Sequence, residues 1–172
     1  MAAHFLEGRR GLAWTAILGM TLMLGGCERM LDIDKAEAAI KSGLADQLQM
    51  PFASVECPES RAIKAGDAFE CTAVAETGGD LTVKVTQKDD TGAVNWEVTN
   101  GDKVLSLTSL EEMIEGELAR QLKVDAAVDC GGKMRLSVPA QTFECKASAG
   151  AESRPVVVTM KDDKGNVSWA LK

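Results

Sequence analysis

The chain has 172 residues, of which 45% are hydrophobic, 4% aromatic and none tyrosine. That is enough apolar material for a core, but too few rings for an interior built on aromatics. The single histidine is His4 and the net charge is −7, which excludes histidine chemistry beyond the extreme N-terminus and sets the chain against nucleic acid.

Arg9 and Arg10 are followed by sixteen apolar or small residues, Gly11 to Gly26, and then by Cys27. A membrane-spanning helix needs about 20 apolar residues, whereas the apolar part of a secretory signal needs about 7 to 15 behind a basic start. The length favours a signal over an uncleaved anchor helix. Leu24, Gly25 and Gly26 directly before Cys27 resemble the lipobox of bacterial lipoproteins. That resemblance implies that Cys27 is linked to diacylglycerol and becomes the new N-terminus, with residues 1–26 removed as a lipoprotein signal peptide and residues 27–32 left as a lipidated tether. Each buried methylene of such a lipid contributes about 0.8 kcal/mol of membrane affinity. Removal of residues 1–26 takes two of the 19 basic residues, one of the 26 acidic ones and the histidine, so the mature net charge is −8.

The first predicted element is an amphipathic helix, in which Ile33, Ala36, Ile40, Leu44 and Leu48 recur at helical spacing. Asp34 with Glu37 has capping-box spacing. Four strands follow: Phe52 to Glu56, Ala68 to Ala75, one around Leu81, Val83 and Val85, and one holding Val94, Trp96 and Val98. A connector near Asn100 to Ser106 leads to a second helix with Leu110, Met113 or Ile114, Leu118 and Leu122, started by Ser109 with Glu112. Strands then recur at Val124 to Asp129, Gln141 to Ala147, Val156 to Met160, and around Val167, Trp169 and Leu171.

A shift of 73 or 74 residues superposes these landmarks: Ile40, Leu44 and Leu48 on Ile114, Leu118 and Leu122; Phe69-Glu70-Cys71 on Phe143-Glu144-Cys145; Trp96 on Trp169. The sequence therefore predicts two copies of one α+β unit, residues 33–100 and 107–172 with 101–106 as linker, each an N-terminal helix packed on a four-stranded antiparallel meander. Of the five cysteines, Cys27 is taken by lipid and four remain for disulfides, Cys57 and Cys71, Cys130 and Cys145. Three pairings are open; repetition favours one bridge inside each unit, which closes a short loop at about 3 kcal/mol in the chain-entropy model. A redox or metal reading of these cysteines lacks a Cys-x-x-Cys and a histidine.

Lys88-Asp89-Asp90-Thr91-Gly92 and Lys161-Asp162-Asp163-Lys164-Gly165 occupy matching places. They lack the alternating ligands and closing glutamate of a calcium loop and are read as hairpin turns with glycine at a positive φ. No metal and no cofactor are expected. Trp96 and Trp169 alternate with aliphatic residues on one strand face, so they are read first as core anchors and second as a candidate binding surface.

Val-x-Cys-Pro (Val55 to Pro58), Gly-x-x-Phe-x-Cys (Gly66 to Cys71) and the alternating valine strand after a helix resemble the family known as domain of unknown function 4333, found on exported lipoproteins and membrane proteins. The second copy departs from that pattern, with Gly131 after Cys130 and Ala140 in the place of Gly66. The resemblance brings no activity and no site residues. In architecture alone, tandem helix-plus-sheet repeats with one disulfide each are similar to the secreted inhibitor of beta-lactamases.

The function expected is that of a lipid-anchored, non-catalytic lipoprotein of the bacterial cell envelope, a protein-binding or structural module held to membrane through Cys27. The alternative is an inhibitor or sensor of an exported enzyme or cell-wall component. Catalysis by carboxylates alone would have to use acids such as Glu70 and Glu144, which are expected to face solvent beside the bridges.

Overall fold

In the computed structural model, which describes residues 28–172, α1 spans Ile33–Leu48 and α2 spans Leu107–Leu122. The expected signal, residues 1–26, and Cys27, the expected lipidation site, lie outside the described residues. Both helices bury one stripe: Ile33, Ala36, Ile40 and Leu44 in α1; Leu107, Leu110, Ile114 and Leu118 in α2. The sequence left Met113 and Ile114 as alternatives; Ile114 is buried and Met113 is exposed. Leu48 and Leu122 lie where the stripe runs off the sheet, half-buried and exposed respectively.

The helix starts differ from the expected capping boxes. Asp32 caps α1 by accepting from the Lys35 amide at 3.0 Å, and Ser106 caps α2 by accepting from the Ser109 amide at 3.2 Å. Glu37 does not return to its own helix. Its carboxylate reaches across to the strand described next, as does that of Glu111 rather than Glu112 in the second copy. Each helix ends on a residue in the left-handed region, Gln49 and Lys123.

In the first repeat, β1 (Phe52–Glu56), β2 (Ala68–Ala75), β3 (Asp80–Gln87) and β4 (Val94–Val98) form an antiparallel sheet in the order β1-β2-β3-β4. Phe69, Cys71, Ala73 and Ala75 alternate with exposed or half-buried residues along β2, and Leu81, Val83 and Val85 do so along β3. Cross-strand partners such as Cys71 with Val83 share that face, and α1 covers it, forming one core.

The second repeat follows the same plan. β6 (Ala127–Asp129), β8 (Thr142–Ala149), β9 (Glu152–Met160) and β10 (Val167–Leu171) pair in the order β10-β9-β8-β6. Its core gathers Leu110, Ile114, Leu118, Val128, Val156 and Val158. β6 is shorter than the strand expected from Val124, because Lys123 turns left-handed and Val124 is left at the surface.

Two short segments read as tether and linker take part in the fold. Within residues 101–106, a 3₁₀ turn (Gly101–Lys103) leads into β5 (Val104–Ser106), which pairs antiparallel with β7 (Met134–Leu136) from inside the second disulfide loop. In the first repeat the equivalent contact is a single bridge between Met30 and Ala62. The same backbone bond flanks both: Ile63 N donates to Arg29 O at 2.7 Å and Ser137 N to Lys103 O at 2.8 Å. Each unit thus begins with an extended entry segment that ties its disulfide loop to the helix start.

The ribbon also joins the repeats. Leu136 is buried in the first repeat's core, and Val104 and Met134 pack against it. The Gln141 side-chain amide donates to Thr77 O at 2.8 Å, and Lys103 lies 3.6 Å from Asp80.

Candidate functional site

At the heart of each repeat, a disulfide fastens the end of the first sheet strand to its neighbour: Cys57 to Cys71, and Cys130 to Cys145. The helix reinforces the same point. Cys57 N donates to the Glu37 carboxylate at 2.7 Å, and Cys130 N donates to that of Glu111 at 2.7 Å. Lys41 donates to Ala53 O at 2.7 Å, and Val128 N donates to Glu115 at 2.8 Å. β1 and β6 are edge strands, and charged helix side chains occupy backbone groups that an edge would otherwise leave open to another chain.

The loops between the cysteines are held from above by stacked cations. The Arg61 guanidinium lies 5.3 Å from the Phe69 ring centroid, and that of Arg135 lies 4.6 Å from Phe143. In the first repeat Gln87, itself buried, donates to Ala62 O at 3.0 Å and accepts from Lys64 N at 2.9 Å.

The paired aspartates make turns. Asp89 accepts from the Thr91 amide at 2.8 Å, and Asp162 accepts from the Lys164 amide at 2.9 Å. Gly92 and Gly165 sit at φ of 92° and 81°, the positive-φ positions expected of glycine. Hydrogen bonds, first from the Thr91 hydroxyl and first from the Asn166 side chain, hold the Asp89 and Asp162 carboxyls below the usual carboxylate range. Among the described residues no cluster of three metal-ligating side chains is present.

Trp96 and Trp169 are half-buried and packed against the cores of their own repeats. Trp96 approaches α1 where the helix has Gly43, so closely that a Cβ there would stand 2.6 Å from the ring. Glu70 and Glu144 are exposed, and Glu144 lies 3.3 Å from the Lys172 ammonium.

The concave feature that sequence reading did not identify lies at the open end of the second repeat. A cavity of about 210 Å³ runs between the end of α2 and the helix-facing side of β8, β9 and β10, with Leu118, Leu122, Val124, Ala147 and Leu171 among its walls. Ala126, Ala149, Glu152, Ser153 and Arg154 also line it. The first repeat is closed at this place. There Phe52 heads β1, Met50 precedes it, and Leu81 faces Ala73, all buried. In the second repeat Ala126 precedes β6, Val124 takes the place of Met50, and Arg154 faces Ala147. Three large buried apolar plugs have become an exposed valine, an alanine and a cation. The signal lies in the strand register of the two copies, which places Arg154 where the first repeat has Leu81.

A protein-family model matches the chain twice, over residues 15–92 and 91–165. Curated proteins and solved structures returned no match. The matches follow one another as the two structural repeats do and together cover most of the chain, so the chain belongs to the family described as Domain of unknown function (DUF4333) and carries two consecutive copies of it.

Proposed function

We propose that the protein is a lipid-anchored, non-catalytic envelope lipoprotein whose double-repeat body serves as a binding or structural module. The observation that carries this reading is the run Leu24-Gly25-Gly26-Cys27 together with the point where the fold begins. The chain joins the first repeat at Met30, three residues after Cys27. Three extended residues reach about 10 Å, so a lipid on Cys27 would keep the first repeat at the bilayer surface. The second repeat would project outward from it. Two or more acyl chains are the signal that converts transient into stable attachment.

The carboxylates support a non-catalytic body, because several of those with defined partners are occupied by backbone amides. Glu37, Glu111, Asp89 and Asp162 accept main-chain amides in edge strands and turns. The anchoring is tested by fractionation. The native chain is expected in the membrane fraction, and a chain in which residues 1–27 are replaced by a cleavable secretory signal without the cysteine is expected in the soluble one. A body that stays with membranes after the exchange overturns the lipid-anchor reading. The binding role is tested by cross-linking in intact cells: a partner attached reproducibly to the second repeat is expected, and cross-links spread evenly over abundant envelope proteins speak against it.

A further inference from the structure

The cavity in the second repeat differs from a packing fault in three respects. Most of its walls have stayed apolar although the end is open, and two of them, Leu122 and Val124, are 54% and 40% exposed. Large apolar side chains left in water beside a concavity mark a surface that something covers. The first repeat supplies an internal control, since the same fold with Met50, Phe52 and Leu81 has these residues buried.

The second respect is size. An apolar cavity of about 150 Å³ accepts the six carbons of benzene, so in proportion 210 Å³ accommodates about eight. The third is charge. Arg154 lies opposite Ala147, on the helix-facing side of the sheet, where the first repeat has Leu81 opposite Ala73. Among the described residues it has no carboxylate within ion-pair distance. A guanidinium fork matches a carboxylate with two parallel hydrogen bonds. Glu152, two residues away on the same strand face, lines the same mouth and disfavours a head with more than one negative charge.

We infer that this cavity binds a small amphiphile with a single carboxylate head, its apolar chain between α2 and the sheet and its head on Arg154. This goes beyond the anchored-module reading and does not depend on it: the site lies wholly within the second repeat, and the anchor precedes the first. The net charge of −7 would by itself favour a cationic amphiphile, so preference for an anion isolates the contribution of Arg154.

The test uses the purified full-length protein, photolabelled with an octanoate analogue carrying a terminal diazirine, and mapped by peptide mass spectrometry. Adducts are expected on the segments around Leu122 to Ala126 and Ala147 to Ala149. Unlabelled octanoate should compete at concentrations about tenfold lower than octylamine, the difference expected of one charge-assisted bidentate contact. Arg154→Gln should abolish that difference. Ala126→Phe, which restores the first repeat's residue, should remove the labelling, as should Ala149→Leu from the neighbouring strand β8; an intact Cys130–Cys145 bridge in each variant verifies its fold. Labelling that octanoate does not compete, octylamine competing equally with the unaltered chain, or full labelling of both filled variants with the bridge intact would overturn the inference.

Discussion

Leu136 of the second repeat rests on the backbone of Gly79 in the first: a Cβ built on Gly79 would lie 3.1 Å from that of Leu136 and 2.8 Å from the Val138 side chain. Gly79 also has φ of 85°, so both conformation and contact require glycine there. The contact should couple the folding of the two copies. Leu136→Ala is expected to destabilise the protein by about 2 to 5 kcal/mol, and the loss should reach the first repeat. Hydrogen exchange at Val83 and Val85 measures it; unchanged protection there, with loss confined to the second repeat, would show that the copies fold independently.

The bond between Glu37 and the Cys57 amide, repeated between Glu111 and Cys130, spans 20 and 19 residues. It is charge-assisted and partly buried, so loss of the acceptor leaves an amide unpaired beside the disulfide. Glu37→Ala is expected to cost about 1 to 3 kcal/mol, and Glu37→Gln less, because the amide oxygen still accepts. Urea denaturation of the two variants checks the order. Equal stability of all three chains would mean that the bond contributes nothing.

Ala140 has φ of 64° at the place where Gly66 has 80°. A left-handed conformation costs an L-residue with a Cβ about 1 to 2 kcal/mol, while glycine gives part of this back through the greater freedom of its unfolded chain. Ala140→Gly should therefore raise the thermal midpoint, and the reverse change, Gly66→Ala, should lower that of the first repeat. A fall in the midpoint with Ala140→Gly would show that the methyl group contributes more in contacts than it costs in strain.

The two aspartate turns predict a sign for pH dependence. Their carboxyls are held below the usual range by hydrogen bonds, led by the Thr91 hydroxyl for Asp89 and by the Asn166 side chain for Asp162. A depressed carboxyl contributes stability that is complete above the unfolded-state value and is lost as pH falls through the folded one. Both turns should therefore stay intact at neutral pH and loosen only in strong acid. Carbon NMR titration of the two side chains reads this directly, and midpoints at or above the usual carboxylate range would contradict it.

Much of the fold was legible because its signals are periodic. Ile40 and Leu44 mark the helix phase, the alternation through Leu81, Val83 and Val85 marks a sheet face, and the spacing of Phe69-Glu70-Cys71 and Phe143-Glu144-Cys145 marks the duplication. What escaped is non-local. The three-residue ribbon strands at Val104 and Met134 are too short for a period, and their pairing crosses the whole of α2. Glu37 has the spacing of a capping box and spends its carboxylate on Cys57 instead, since Asp32 already caps the helix. The cavity was hidden for another reason: Arg154 reads as an ordinary surface charge until strand register places it opposite Ala147, as Leu81 is opposite Ala73.

The mature N-terminus tests the proposed lipid anchor most directly. Mass spectrometry of the N-terminal peptide from protein extracted with detergent is expected to begin at Cys27, with a mass increment corresponding to diacylglycerol on its sulfur. Recovery of peptides from residues 1–26 in the mature protein, or of Cys27 as a free unmodified thiol, would contradict it.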